Sequence, residues 1–275
     1  MKKILLIGKN STLCKAYVTK SKIKNFDVFS HNQINTINYS KYSHLINFSF
    51  NPKLLKTAYK KKFDIDIHLS KKAKKNNLFY IFFSTRFVYS KSNVLPVLET
   101  FGSLKPEDNY GKNKLIIENH LRRTLDNKLL ILRLGTFLFF KLSPNGKLFS
   151  EKLLYTLYNN KTIFFNIKKN IFKDFITDSY FVKSLDILIK KKITGTYNLS
   201  SGIPIFSEEI AKNVINGFGK GKIIFKNIKP DSYSFLMSNQ KLRYKTGITT
   251  TKKNILDYCV RMGKKLSNVA QKKRT

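Results

Sequence analysis

The sequence predicts an α/β protein, a doubly wound parallel sheet flanked by helices and followed by a smaller C-terminal lobe. Three observations predict it. Short apolar runs of strand character alternate with helical stretches through the first half of the chain, the signature of a parallel sheet. The first run, KKILLIG, passes through a glycine directly into a helix start. With 275 residues, 42% of them hydrophobic, the chain can bury one large core and carry a lobe packed on it.

The elements follow in order. Residues 2–8 read as a buried strand bounded by Gly8, and 11–20 as the helix that opens after it. FDVFS (26–30) reads as a second strand and HLINFSF (44–50) as a third, stopped by Asn51 and Pro52. A lysine-rich stretch over about 53–76 predicts one long helix, and LFYIFFS (78–84) a fourth strand. A loop holding Pro96, Gly102 and Pro106 leads to an amphipathic helix opening at 109, followed by the strand KLLILRL (128–134). Past Gly135 the pattern loosens, with helices near 147–159, 179–191 and 207–216 and a strand at 195–200. The division expected is a nucleotide-binding core over 1–160 and a substrate lobe over 161–263, with the helix and strand at about 179–200 returning to the core. A basic tail over 264–275 is expected to be loose.

Composition narrows the function classes. The formal charge of +37, from 53 Lys and Arg against 16 Asp and Glu, is of a size that attracts phosphate-bearing partners. The lysines are nevertheless spread along the chain, which is also rich in Asn, Ile, Phe and Tyr, the residues written by AT-rich codons. The charge therefore reads as solvated faces and not as a specific nucleic-acid footprint. The longest apolar run, LLILRLGTFLFFKL, is broken by Arg133 and falls short of the roughly 20 residues of a membrane span, so no membrane insertion is expected. The apolar run of MKKILLIGKN stops at Gly8 and Lys9, too early for an export signal, and a cytoplasmic setting is expected. Cys14 and Cys259 are far apart, as are His31, His44, His68 and His120, which leaves neither a disulfide framework nor a zinc spacing, and no metal is expected.

Two constellations carry chemistry. In GKNSTLC the places where a dinucleotide-binding turn has its glycines hold Gly8, Ser11 and Cys14. A capped helix with Ser11 at its N-cap accounts for the same letters, yet both replacements are small and the Ser11 hydroxyl suits a phosphate at a helix N-terminus. The candidate cofactor contacts are Gly8, Lys9, Ser11 and Leu13 from this turn, with Ser30 and His31 from the end of the second strand. That end carries no carboxylate to receive a ribose 2′-hydroxyl, since Asp27 comes too early, so NADP(H) is favoured over NAD(H). In NYGKNKLIIEN, Tyr110 and Lys114 stand four apart on one helix face, where an ammonium near the phenol would lower its pKa. Lys114 also stands four before Glu118, and a simple ion pair fits that spacing equally well.

FFSTRFVYS puts Ser84 and Thr85 at the carboxyl end of a buried strand, where open α/β sheets bind ligands. STRFVYS followed by LETFGSLKPEDNYGKNKLIIE resembles the extended short-chain dehydrogenase/reductases that act on nucleotide sugars, with their Ser/Thr-Tyr-x-x-x-Lys triad. The matching residues are Thr85, Tyr110 and Lys114, with Pro106 four before the tyrosine and Glu118 in place. LLIGKNSTL, LILRLGTFLF, KDFITDSYFV and GTYNLSSG resemble further parts of that family, so the likeness runs from residue 2 to about 216 and is most specific over 82–118. STRFVYS and PVLETF look most similar to the dTDP-4-dehydrorhamnose reductase branch, whereas KDFI leans toward sugar epimerases. Arg86 and Phe87 stand where a dehydratase would carry acidic residues, which ranks dehydration last.

The resemblance implies a Rossmann-type core and an NAD(P)-dependent reduction or epimerisation of a nucleoside-diphosphate sugar, in the supply of sugars for surface polysaccharides. It implies that Tyr110 exchanges the hydroxyl proton, Thr85 holds the reacting oxygen, and Lys114 lowers the phenol pKa and holds the nicotinamide ribose, so that Tyr110 and Lys114 also contact cofactor. A homodimer stays open. Two other classes compete with this reading. One is a non-catalytic dinucleotide-binding subunit or sensor, favoured by Ser11, Cys14 and Arg86; the other is a basic nucleic-acid-binding protein, favoured by charge alone.

Overall fold

The computed structural model describes residues 2–91, 94–100, 104–146, 148–229 and 233–272; Gly102, Lys147 and the last three residues of the basic tail lie outside the described residues. In chain order the first elements are β1 (Lys3–Ile7), α1 (Thr12–Lys20), β2 (Phe26–Phe29), β3 (Tyr42–Asn47), α2 (Ile65–Lys75), β4 (Phe79–Thr85), α3 (Asn109–Leu125) and β5 (Leu129–Leu134). There follow β6 (Thr136–Leu138), α4 (Phe149–Asn160), β7 (Thr162–Ile167), β8 (Phe172–Thr177), α5 (Asp178–Lys190) and β9 (Gly195–Leu199). β10 (Pro204–Phe206), α6 (Ser207–Phe218), β11 (Lys222–Lys229), α7 (Gln240–Thr246) and α8 (Lys252–Lys272) complete the order.

Six strands form one parallel sheet in the order β2-β1-β3-β4-β5-β9. Its inner strands read as continuous apolar runs because helices cover both faces. On one face Cys14 and Tyr17 of α1 and Phe181 and Leu185 of α5 pack on Ile4, Leu6 and Leu132. On the other, Leu69 and Ala73 of α2 and Ile117 and Leu121 of α3 pack on Leu5, Ile7 and Phe82. The chain leaves β1 for β2 on one side and returns for β3 on the other, so the strand order reverses between β1 and β3. Such a reversal opens a crevice at the carboxyl ends of those two strands.

The rest of the chain builds two small sheets, β10-β8-β6 and β11-β7, over a separate apolar cluster drawn from α4, α6 and α8. Helices α6 and α8 cross at Gly217 and Gly263, where a side chain on either glycine would run into the backbone of the facing helix, at Val260 and Val214. Among the described residues no helix is long and apolar enough to cross a membrane.

Two expectations are corrected. The long helix over 53–76 is two short 3-10 turns, Pro52–Leu55 and Lys61–Phe63, followed by α2 from Ile65. Asp64 starts that helix by accepting a hydrogen bond from the Asp66 N–H at 2.9 Å, while the five lysines of residues 53–62 offer no apolar stripe that would hold a helix against the sheet. The loose tail is also wrong up to Lys272, because α8 continues there as a helix. Ile255, Cys259, Met262 and Leu266 recur at helical spacing and are buried against α6.

Candidate active site

The run HLINFSF predicts strand to residue 50, but β3 ends at Asn47, and Phe48, Ser49, Phe50 and Asn51 leave the sheet to line a cleft of about 1000 Å³. The cleft sits at the strand reversal. Gly8, Lys9, Asn10 and Ser11 form one wall, Ser30, His31 and Asn32 the outer rim, and Asp64 and His68 the far side. Gly8 has φ +106, and a Cβ there would lie 2.7 Å from Ser49 Oγ and 2.9 Å from its backbone nitrogen, so the first turn position needs glycine for both conformation and space. Ser11 caps α1, yet its side chain makes no capping bond, which leaves the hydroxyl at the helix N-terminus free to meet an anion.

Of the sequence-predicted cofactor contacts, Gly8, Lys9, Ser11, Ser30 and His31 all line this cleft. Leu13, Tyr110 and Lys114 are not among its lining residues. Leu13 packs against the core from the first turn of α1, because the helix turns it toward the sheet. Cys14 is fully buried in the same core, and burial pushes its thiol up to about 11, so it is a packing residue and not a reactive one. Sequence reading missed His68, whose Nε2 is buried in the cleft wall without a hydrogen-bond partner among the described residues, and Asp64 beside it. Both arrive from a segment far along the chain, with no motif to announce them.

Thr85 ends β4 and Tyr110 opens α3, held there because Asp108 caps the helix by accepting from the Gly111 N–H at 2.7 Å. The two side chains meet. Burial pushes the Tyr110 phenol up to about 12, and the facing Thr85 hydroxyl works in the opposite direction. The rings of Phe50 and Phe87 flank the Tyr110 ring at 5.4 and 6.0 Å between centroids.

Lys114 departs from the expected arrangement. Its ammonium donates to the Phe83 carbonyl at 2.7 Å and lies over the Phe50 and Phe82 rings at 4.2 and 4.4 Å, and it is not among the groups that shift Tyr110. Burial lowers its pKa to about 8, against the pull of Asp66, Asp64 and Glu118. The reading of Lys114 as an ion-pair partner of Glu118 is also overturned, because Glu118 accepts from Arg133 at 2.7 Å, from Arg122 at 2.9 Å and from the Ser84 hydroxyl. Glu118 thus pins α3 to β4 and β5 and leaves Lys114 with a carbonyl. A second pairing joins KDFI to LSSG: Asp174 accepts from the Ser201 N–H at 2.7 Å and the Gly202 N–H at 3.2 Å, so two segments far apart in the sequence form one structural joint.

No protein-family model and no curated protein sequence matches the chain. Solved structures do. UDP-N-acetylglucosamine 4-epimerase from Methanobrevibacter ruminantium M1, in complex with UDP-N-acetylmuramic acid, superposes with TM-score 0.82 at 13% identity, covering 98% of this chain and 99% of its own. dTDP-4-dehydrorhamnose reductase from Yersinia enterocolitica gives 0.75 at 18% identity, covering 96% and 100%. RMD from Pseudomonas aeruginosa, complexed with NADPH, gives 0.80 at 12%, covering 98% and 100%. At these identities the likeness is one of fold: over nearly its whole length the chain has the Rossmann-type architecture of nucleotide-sugar epimerases and reductases.

Proposed function

We propose that the chain is an extended short-chain dehydrogenase/reductase that uses a nicotinamide dinucleotide, NADP(H) ahead of NAD(H), to reduce the keto group of a nucleoside-diphosphate sugar. The observation that carries this is the Thr85–Tyr110 pair at the carboxyl end of β4, beside a dinucleotide-sized cleft. Similar folds bind such ligands, with UDP-N-acetylmuramic acid in one neighbour and NADPH in another.

The residues present fit the cofactor. Gly8 leaves a cradle that any side chain would fill, the free Ser11 hydroxyl stands at a helix N-terminus for the pyrophosphate, and the partnerless Nε2 of His68 awaits a polar atom in the cleft. Bound there, the dinucleotide supplies the hydride. Tyr110 supplies the proton: with its pKa pushed up to about 12 the phenol is protonated at neutral pH and poised to donate to the sugar oxygen, as a keto reduction requires. Thr85 holds that oxygen in line with the phenol. Lys114 would reach the ribose only after breaking its bond to the Phe83 carbonyl. Epimerisation ranks second, because STRFVYS and PVLETF look most similar to the reductase branch. Sugar supply for surface polysaccharides suits a reaction of this kind.

A second reading, a dinucleotide-binding subunit without turnover, is favoured by the same position of Lys114 under Phe50. One experiment separates them. Melting is measured with NADPH, NADH and nucleotide sugars, and NADPH oxidation is then followed with 4-keto nucleotide sugars. The catalytic reading expects a cofactor-raised Tm and substrate-dependent oxidation; a raised Tm without oxidation supports the subunit reading, and no shift with either cofactor sinks both.

A further inference from the structure

Two arginines lie close to the Thr85–Tyr110 pair, and they are treated very differently by their surroundings. Arg133, 1% exposed, is fully committed: Nη2 and Nε donate to Glu118 at 2.7 and 3.1 Å, and Nη1 donates to the Tyr89 hydroxyl at 3.0 Å and the Glu99 carbonyl at 3.2 Å. Arg86, which directly follows Thr85, is half-buried and takes part in none of the ion pairs among the described residues. Its guanidinium carbon lies 4.2 Å from the centre of the Phe87 ring and 5.1 Å from that of Phe235, and the Tyr233 hydroxyl accepts a hydrogen bond from it. The nearest carboxylates that act on it, Asp108 and Asp174, are already spent on backbone donors, Asp108 on Gly111 and Asp174 on Ser201 and Gly202.

A cation drawn partly out of water costs free energy unless something compensates it. Two rings give Arg86 a fixed plane and part of that compensation, but they leave much of a five-donor fork unmatched by any anion. The Phe87 ring that carries this guanidinium also packs against the Tyr110 ring, so a single side chain bridges the fork and the acid–base pair. If the reacting oxygen sits on carbon 4 of the sugar, the substituent on carbon 5 is its immediate neighbour, while the diphosphate on carbon 1 leaves from the opposite side of the ring.

We infer that Arg86 reads a carboxylate carried on the sugar beside the reacting carbon, so that the site selects an acidic nucleoside-diphosphate sugar over its neutral counterpart. This rests on the nucleotide-sugar reading above. Arg86 is a specificity residue in this scheme: it moves no proton and leaves the Thr85–Tyr110 pair as it is. The absence of acidic residues after Thr85 belongs to the same design, since a carboxylate on the protein there would repel the one on the substrate.

Calorimetry on the full chain with saturating cofactor tests it, using UDP-glucuronic acid against UDP-glucose and GDP-mannuronic acid against GDP-mannose. In at least one pair the acid is expected to bind tenfold or more tighter, as a charge-assisted bidentate contact gives about ten- to a hundredfold. Arg86→Gln should abolish that preference while neutral-sugar and cofactor affinities stay within about twofold; Arg86→Lys, a point charge without the fork, should keep only part of it. Equal binding of acid and neutral sugars by the wild type overturns the inference. So does a preference that survives in Arg86→Gln, or an equal loss for both sugars, which would mean that Arg86 holds the diphosphate. If Arg86→Gln does not fold, an undiminished preference in Arg86→Lys overturns it by itself. Cofactor binding with no binding of any of the four sugars removes the nucleotide-sugar reading itself, an outcome distinct from a failure of selectivity.

Discussion

The two edges of the crevice differ in how their chemistry is assembled. On the β4–α3 edge, Thr85, Tyr110 and Lys114 come from one strand end and one helix, and Glu118 locks that helix to Arg133 in the neighbouring strand at 2.7 Å. On the β1–β3 edge, the cleft is made from the turn after β1, the end of β2, the chain after β3 and the start of α2. The first edge is stiff and local, the second composite. That difference suits the residues found there: Gly8 faces backbone on the opposite wall and needs glycine, whereas Cys14 points into a core that accepts a small side chain, and the proposed acid–base pair keeps its spacing on one stiff helix.

The comparison breaks most directly at Tyr110. Tyr110→Phe keeps the ring between Phe50 and Phe87 but removes the acid, so turnover should fall by about 10²- to 10⁴-fold with cofactor affinity unchanged. Activity within a few fold of wild type would show that the local edge is not the catalytic one.

The composite edge is tested by cofactor choice. Asp27, the acidic residue of β2, accepts from Lys3 at 2.9 Å and from the Tyr42 hydroxyl at 2.9 Å, away from the rim formed by Ser30, His31 and Asn32. Asp64 reaches the cleft from the other side, with its oxygens engaged by the Tyr59 hydroxyl and the Asp66 N–H. With no carboxylate at the rim and Lys9 beside it, NADPH should bind tighter than NADH by about 1.5 to 3 kcal/mol, roughly ten- to a hundredfold. Titration of both reduced cofactors decides this, and equal affinities would mean that the 2′ position is read elsewhere.

Lys114 sits where the two edges meet. Its folded-state pKa, lowered to about 8 by burial, lies below the 10.5 of the exposed side chain, so the unfolded chain binds more protons between those values and the penalty of the buried charge fades as pH rises through 8. Cys14 and Cys259, pushed up to about 11 and about 12, act in the opposite sense above pH 9, so the effect has to be read as a difference between variants. Lys114→Met, neutral at every pH, should hold a stability advantage over wild type near pH 7 that shrinks by about 2 kcal/mol by pH 9.5, at 1.36 kcal/mol per unit. Denaturant melts at both pH values measure it; an advantage that stays constant would mean that Lys114 is not titrating in this window.

How much of this was legible follows the same division. Strand and helix alternation exposed the parallel sheet because each inner strand is a continuous apolar run, and the four-residue spacing placed Tyr110 and Lys114 on one helix. The spacing could not say which partner Lys114 would take, since a carbonyl of β4 competes with both Tyr110 and Glu118, and backbone acceptors leave no trace in the letters. The stretch over 53–76 misled because high lysine content favours helix locally while only the apolar face of Ile65, Leu69 and Ala73 finds a sheet to pack on. His68 and Asp64 were invisible as cleft residues because only the chain path after β3 brings them opposite Gly8. In the C-terminal half, strands of three residues such as β6 and β10 are too short to register as a period.

The smallest effect expected is also the most informative about the junction. Phe50 lines the cleft beyond β1 and β3, its ring lies edge-to-face with Tyr110 at 5.4 Å between centroids, and the ammonium of Lys114 lies 4.2 Å from its centre, so this one side chain sits between the composite edge and the local one. If Phe50 stands between the cleft and Lys114, a nicotinamide ribose would have to displace the ring to contact Lys114, and that displacement would be subtracted from the binding free energy. Phe50→Ala removes the obstacle at the cost of a partly buried ring. The two consequences separate in measurement, because lost packing lowers Tm without ligand, whereas a cleared path tightens cofactor binding, by about three- to tenfold if the displacement costs about 1 kcal/mol. Tighter binding together with a lower Tm identifies Phe50 as a barrier between the edges. Weaker binding shows instead that the ring is part of the cofactor wall, and that the cofactor engages Tyr110 without ever reaching Lys114.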